Sequence, residues 1–349
     1  MAFTSLPLDV IRHILASAPA PTLSRFSASC HAADKLVIEE LNFRYDSLLA
    51  NYVDDRAALR TLLGATSSNI AGSSAAAVAG LRDQYVPGDL DIYCDELGAP
   101  IVRDHFVDNE RYEVIEKPER LPACPSPSAI AHAESLIPIT DVDRAYQRAL
   151  AADGGNSTNA SAPTPSSNHD EYTGGIAYMI HLRREDVYVD IICSTTSSST
   201  FPIVNFWSTA PMCFLTADAI HILYPRLQEQ QHALLNPFRL PLPELEDNLP
   251  ELNHIVAKQK AHTRSLIAKY VDRGYDVQHT EHPWDVDVSI RACVERKAAA
   301  CLLYIRWVGD ARGMHLSLCG DVNTRMRSSP FQHGLQLYTS VWCRGGYPY

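Results

Sequence analysis

In the run VPGDLDIYCDE (residues 86–96), Asp89 and Asp91 stand two apart in a stretch with strand character. Successive strand side chains point to opposite faces, so both carboxylates project the same way, a few ångströms apart. Like charges that close repel, and a cation between them removes the cost. The pair is therefore either a solvated strand end or part of a site for a hard, oxygen-ligated metal ion. A third carboxylate, Asp190, lies in VYVDIIC with apolar residues on both sides, where an acidic group faces a site or an exposed edge. Gly72-Ser73 opens the Ala-rich run SSAAAVAGL sixteen residues before Asp89, counting from Ser73. Free N–H groups at a helix start, with a glycine that permits close approach, suit a phosphate.

Elements must bring these residues together. LPLDVIRHILASA sets Leu6, Val10, Ile11, Ile14 and Leu15 on one helical stripe, with Pro7 and Asp9 suited to the first turn. APAP interrupts it, and TLSRFSASCHAADKLVIEELNFRY reads as a second helix. A short helix spans Asp54 to Leu63, and a turn at Pro87-Gly88 precedes the DLDIYC strand. DVDRAYQRALAA reads as a helix whose Asp141 and Asp143 are first-turn acids favoured by the dipole. Residues 152–173, rich in Gly, Asn, Ser, Thr and Pro, read as a low-complexity insertion. IAYMIHLRREDVYVDIICS is a hairpin with Arg183–Asp186 as its polar link, and Arg183 and Arg184 read as solvated turn charges rather than phosphate contacts. Ser208-Thr209 reads as helix-capping hydroxyls, with a nucleotide pocket the lesser alternative. ELNHIVAKQKAHTRSLIAKYVDRG is an amphipathic helix stopped by Gly274, followed by short β-like runs. A second Asp-x-Asp, at Asp285 and Asp287, has no upstream Gly-Ser and no partner strand, and reads as solvated surface.

Bulk properties narrow the function classes. The 349 residues suffice for a substantial core, and 46% hydrophobic with 20% charged residues is the balance of a globular protein. Thirty basic against forty-one acidic residues give a net charge of −11, which argues against bulk nucleic-acid or anionic-membrane binding. No signal peptide or run of ~18 apolar residues is evident, so a cytoplasmic or nuclear location is expected. Nine scattered cysteines without a Cys-x-x-Cys pair read mostly as buried apolar residues rather than zinc ligands.

The order Gly72-Ser73, then Asp89-Leu-Asp91, then Asp190 on a later strand resembles the nucleotidyltransferase superfamily of the polymerase-beta type. More narrowly, residues 65–235 resemble fungal nucleotidyltransferase-like proteins of expanded families. The resemblance implies an α+β fold, a mixed sheet flanked by helices. It implies that Asp89, Asp91 and Asp190 ligate two Mg²⁺ ions, with Asp190 nearest the attacking hydroxyl. Gly72 and Ser73 would contact the β- and γ-phosphates of an NTP. Many members of the fungal family lack the third acidic residue; Asp190 keeps catalysis open here. The Leu6-Pro7 start, the Ile14-Leu15 pair, Leu23-x-x-Phe26 and Cys30 resemble an F-box, which implies docking to the Skp-type adaptor of a cullin ubiquitin ligase. The alternative is a helical cap. The expected organisation is an F-box-like segment over 1–50, a nucleotidyltransferase-like domain over 51–240 and a helical and β region over 241–349. Two functions remain: metal-dependent nucleotidyl transfer, or an inactive fold serving as an interaction platform.

Overall fold

The computed structural model describes residues 6–81, 87–116, 125–141, 143–145, 147–148, 174–237, 253–279, 306–308, 310, 313–319 and 341–342. The insertion at 152–173, the Pro-rich run before residue 251 and the Asp285/Asp287 pair lie outside them.

The chain begins with α1 (Leu8–Ser17), α2 (Ala20–Ser27), α3 (His31–Leu49) and α4 (Arg56–Ala65). It continues through β1 (Asn69–Ala71), α5 (Gly72–Val78), β2 (Asp89–Cys94), α6 (Gly98–Asp108), β3 (Glu113–Ile115) and α7 (Pro127–Leu136). Next come β4 (Ile176–Arg184), β5 (Val187–Ser194), α8 (Phe201–Val204), β6 (Cys213–Leu215), β7 (Ala219–Ile222), α9 (Pro225–Glu229) and β8 (His232–Leu234). The last described elements are α10 (Asn253–Asp272), β9 (Asp276–Gln278), β10 (Arg306–Trp307), β11 (Met314–Ser317) and β12 (Val341–Trp342). The result is a mixed α+β fold built on an eight-stranded sheet, in the order β11-β7-β6-β1-β2-β5-β4-β3. β2 and β5 run parallel at its centre, and every other neighbouring pair is antiparallel. Among the described residues no helix is long and apolar enough to cross a membrane.

Strand alternation divides the sheet into two faces. Ile70, Leu90, Ile92, Leu182, Val189, Ile191, Leu215 and Ile220 point one way into a core shared with Ile11, Leu23, Leu41, Tyr45, Leu59, Ala75 and Phe106 from α1–α6. The N-terminal helices therefore share one core with the sheet. Each fully buried leucine in it stabilises the fold by about 2 kcal/mol. Ala71, Tyr93, Ile192 and Phe214 point the other way, into a second core with Ile203, Val204 and Met212. A third cluster joins α7 and α10 through Ala129, Ala133, Ile267 and Tyr270.

Two local expectations change. The second helical run is two helices, broken over Ala28–Cys30, where Ser27 Oγ donates to Asp34 Oδ1 at 2.6 Å across the break. On α1 only Ile11 and Leu15 are buried, whereas Leu6, Val10 and Ile14 of the expected stripe are exposed, as is Leu8. The stop at Gly274 is as expected. Its φ of +88° is a left-handed conformation that glycine adopts without strain, and its N–H reaches the Val271 carbonyl at 2.8 Å.

Candidate metal centre

Asp89 and Asp91 lie on one face of β2, and the parallel register sets Asp91 directly beside Asp190 of β5. Each of the three carboxylates offers an oxygen, and these oxygens lie within 4.8 Å of one another. That cluster is the one group of three or more candidate ligands among the described residues. Asp190 is 7% exposed, and Asp89 and Asp91 are half-buried, so the charges sit at the edge of the second core with an opening to solvent. The electrostatic consequence reaches two tyrosines. Burial first, and then Asp89, push the Tyr52 phenol above its ordinary pKa. Burial, and then the fields of Asp91, Asp190 and Asp89 among others, do the same to Tyr93.

β1 is antiparallel to β2, with Ala71 opposite Asp91, so the chain turns into α5 beside that carboxylate. The turn is made by Gly72 at φ +66°. A Cβ there would lie 2.6 Å from Asp91 Oδ2, so glycine is required both by conformation and by the closeness of the carboxylate. No side chain caps the start of α5. Ser73 is buried beside it, and Ser74 Oγ donates to the Asp89 carbonyl at 2.9 Å, which ties α5 to the first residue of β2. Tyr52 secures the entry to the same strand, its hydroxyl donating to the Pro87 carbonyl at 3.0 Å. All five candidate site residues thus meet at one place: Asp89, Asp91 and Asp190, with Gly72 and Ser73 at the adjoining turn.

The donor set fits a hard divalent cation. Three carboxylates without a thiolate suit Mg²⁺ or Mn²⁺, ions that keep several waters and take a few carboxylate oxygens. The space left by the missing Cβ of Gly72 lies on the Oδ2 side of Asp91.

His181 is a site residue that sequence reasoning missed. β4 pairs with β5 so that His181 stands opposite Asp190, and His181 Nδ1 lies 2.9 Å from Asp190 Oδ1. The side chains are 14% and 11% exposed, so little water competes for the contact. A signal existed in the hairpin. A two-residue turn at Glu185-Asp186 pairs Arg184 with Val187, and counting outward from there places His181 against Asp190.

Other candidates separate from the site. Arg184 is not a solvated turn charge: it donates to the carbonyls of Tyr52 at 3.0 Å and Glu110 at 3.1 Å, and lies over the Tyr112 ring. Arg183 is exposed, as expected of a turn charge. Ser208 and Thr209 cap no helix. Ser208 Oγ accepts from the Ala210 N–H at 3.1 Å, and Thr209 Oγ1 accepts from the Leu234 N–H at 3.0 Å. Asp143 is a helix-start acid that accepts the Thr140 N–H at 2.8 Å, and it also pairs with Arg264 of α10 at 3.1 Å. Cys94, Cys193 and Cys213 are free buried thiols, Cys94 accepting from the Ser68 hydroxyl at 3.3 Å, whereas Cys30 is exposed and so departs from the expectation. Burial pushes the Cys94 thiol up to about 12.

Comparison of the chain with protein-family models, with curated proteins and with solved structures returns no match.

Proposed function

We propose that the protein is a metal-dependent nucleotidyltransferase that moves a nucleoside monophosphate from an NTP to an acceptor hydroxyl. One observation carries this reading: three carboxylates from two neighbouring strands converge within 4.8 Å, beside a glycine turn that opens a helix. The mixed sheet, with its central parallel pair and helices on its flank, supports a nucleotidyltransferase-like fold. Asp89, Asp91 and Asp190 would hold two Mg²⁺ ions. When bound, the ions supply neutralisation of the triphosphate and polarisation of the acceptor hydroxyl. The backbone at Gly72 and Ser73 would face the β- and γ-phosphates, and the absence of a Cβ at Gly72 lets that turn lie against the Asp91 carboxylate. Asp190 would lie nearest the attacking hydroxyl and accept its proton. The new bond joins the acceptor oxygen to the α-phosphorus, and the α–β phosphoanhydride bond breaks to release pyrophosphate. The test is calorimetric titration of each NTP in the presence of Mg²⁺, followed by pyrophosphate release with candidate acceptors. No binding of any NTP to the folded, metal-supplied protein ends the proposal.

A second reading draws on a separate observation. Leu8 is 49% exposed, Ile14 48% and Phe43 68%, and they lie on α1 and α3 rather than in the core. Leu8 and Phe43 line a groove of about 890 Å³ between those helices. An F-box-like segment would offer such side chains to the Skp-type adaptor of a cullin ubiquitin ligase, with the remaining fold as a binding platform. A pull-down with that adaptor, comparing wild type with an Ile14→Ala/Phe43→Ala variant, separates docking from a plain helical cap. Ile11 is a poor probe, because it is buried and its truncation would weaken the helix packing by about 2–5 kcal/mol whether or not the segment docks.

A further inference from the structure

We infer that His181 is a positioning residue for the metal centre, holding Asp190 by a hydrogen bond from Nδ1. The inference rests on reading the three carboxylates as a cation site. His181 sits one strand beyond Asp190, in direct register, with Nδ1 at 2.9 Å from Oδ1. An ionised carboxylate only accepts, so the contact requires the proton on Nδ1 and thereby fixes the tautomer. Both side chains are largely shielded from water, which favours one geometry over a set of solvated rotamers. His181 is not among the residues whose ligand atoms cluster within 4.8 Å, so it acts through Asp190 and does not ligate.

The consequence is specific. Asp190 comes from β5, whereas Asp89 and Asp91 are held relative to each other by the pleat of one strand. An aspartate carboxylate turns about two rotatable bonds, and a hydrogen bond to one oxygen narrows the orientations open to it. The imidazole engages Oδ1 and so fixes the plane in which the carboxylate meets Asp89 and Asp91. Hydrogen bonds to metal ligands of this kind set ligand orientation, and losing one typically weakens metal affinity by about 10–100-fold.

The experiment uses Mn²⁺ alone as the probe, measured by electron paramagnetic resonance on the full chain without nucleotide. Its arms are wild type, His181→Leu and His181→Asn. Asparagine carries an amide N–H close to where Nδ1 stood, whereas leucine has similar bulk and no donor. The expected result is a Mn²⁺ affinity about tenfold or more weaker for His181→Leu and within about threefold of wild type for His181→Asn. Thermal unfolding without metal identifies any variant that does not fold. If His181→Leu is one, His181→Gln, which sets the amide one carbon too far, takes its place with the same expectation. Wild-type affinity in the donor-less or misplaced-donor variant overturns the inference. Equal weakening in the asparagine variant also overturns it, because the effect then does not run through the Nδ1 donor. Wild-type protein that binds no Mn²⁺ removes the metal centre itself, an outcome distinct from either.

Discussion

Replacing Gly72 with alanine combines two costs that can be worked from the geometry. At φ +66° a side-chain-bearing residue is strained by about 1–2 kcal/mol. The new Cβ would meet Asp91 Oδ2 at 2.6 Å, where ordinary contact begins at 3.4 Å, so the carboxylate must retreat by about 0.8 Å. Driving it off its rotamer adds about 0.5–1.5 kcal/mol, for a total of about 1.5–3.5 kcal/mol. With about 2.1 cal/mol/K per residue, 349 residues give an unfolding entropy near 0.7 kcal/mol/K, so the melting temperature falls by about 2–5 °C. Metal ligation tolerates displacements of only about 0.2 Å, so Mn²⁺ affinity should fall with it, by at least about tenfold. Scanning calorimetry reads the first effect and Mn²⁺ titration the second. Gly64→Ala, in α4, is the control: its Cβ would make an ordinary 3.4 Å contact with Ala217, and it should leave both quantities close to wild type. A Gly72→Ala protein with wild-type melting and wild-type Mn²⁺ affinity refutes the argument.

Further outcomes follow from other parts of the structure. Asp190→Asn relieves repulsion within the cluster, so metal-free stability should hold or rise, while pyrophosphate release falls to background and nucleotide binding persists; undiminished turnover contradicts the assignment. Burial would raise the Asp143 carboxyl, but hydrogen bonds from Arg264 and Thr140 outweigh it and hold the group below its ordinary range. Its contribution to stability is therefore complete above about pH 3.9, the unfolded value, and is lost as pH falls through the lower folded value. Denaturant melts from pH 6 to pH 2 should show a shallower acid decline for Asp143→Asn than for wild type. Arg264→Leu leaves Asp143 buried without its cation and should cost about 3–5 kcal/mol at neutral pH, read from urea midpoints. On α1, Ile14→Ala should change stability by less than about 0.5 kcal/mol, whereas Ile11→Ala should cost about 2–5 kcal/mol.

What the sequence made legible was local. Asp89-Leu90-Asp91 in a β-forming run fixes two carboxylates on one face by the strand period alone, and Gly72 before an Ala-rich run marks the turn. Gly274 similarly marks the end of α10. The convergence of Asp190 with Asp91 depends on a parallel pairing across 99 positions, and no local pattern encodes that register. His181 was missed through a boundary of two residues. A link drawn as Arg183–Asp186 pairs Leu182 with Val187 and sets Met179 against Asp190. The real turn at Glu185-Asp186 shifts the ladder so that His181 takes that place. Burial on α1 was misjudged because helical periodicity identifies an apolar stripe but not how much of it meets a partner. Ile11 and Leu15 reach the core, while Val10 and Ile14 face outward. Arg184 seemed a turn charge by position, yet strand alternation turns it toward Glu110 and Tyr112, opposite in direction to Arg183.

The central claim is that Asp89, Asp91 and Asp190 form one cation site facing a nucleotide triphosphate. Anomalous diffraction from crystals grown with Mn²⁺ and a non-hydrolysable NTP tests it directly. The account predicts manganese peaks at about 2.0–2.2 Å from oxygens of all three aspartates, with the triphosphate lying against the Gly72-Ser73 turn. Manganese absent from between the three carboxylates, or a nucleotide bound away from that turn, contradicts it.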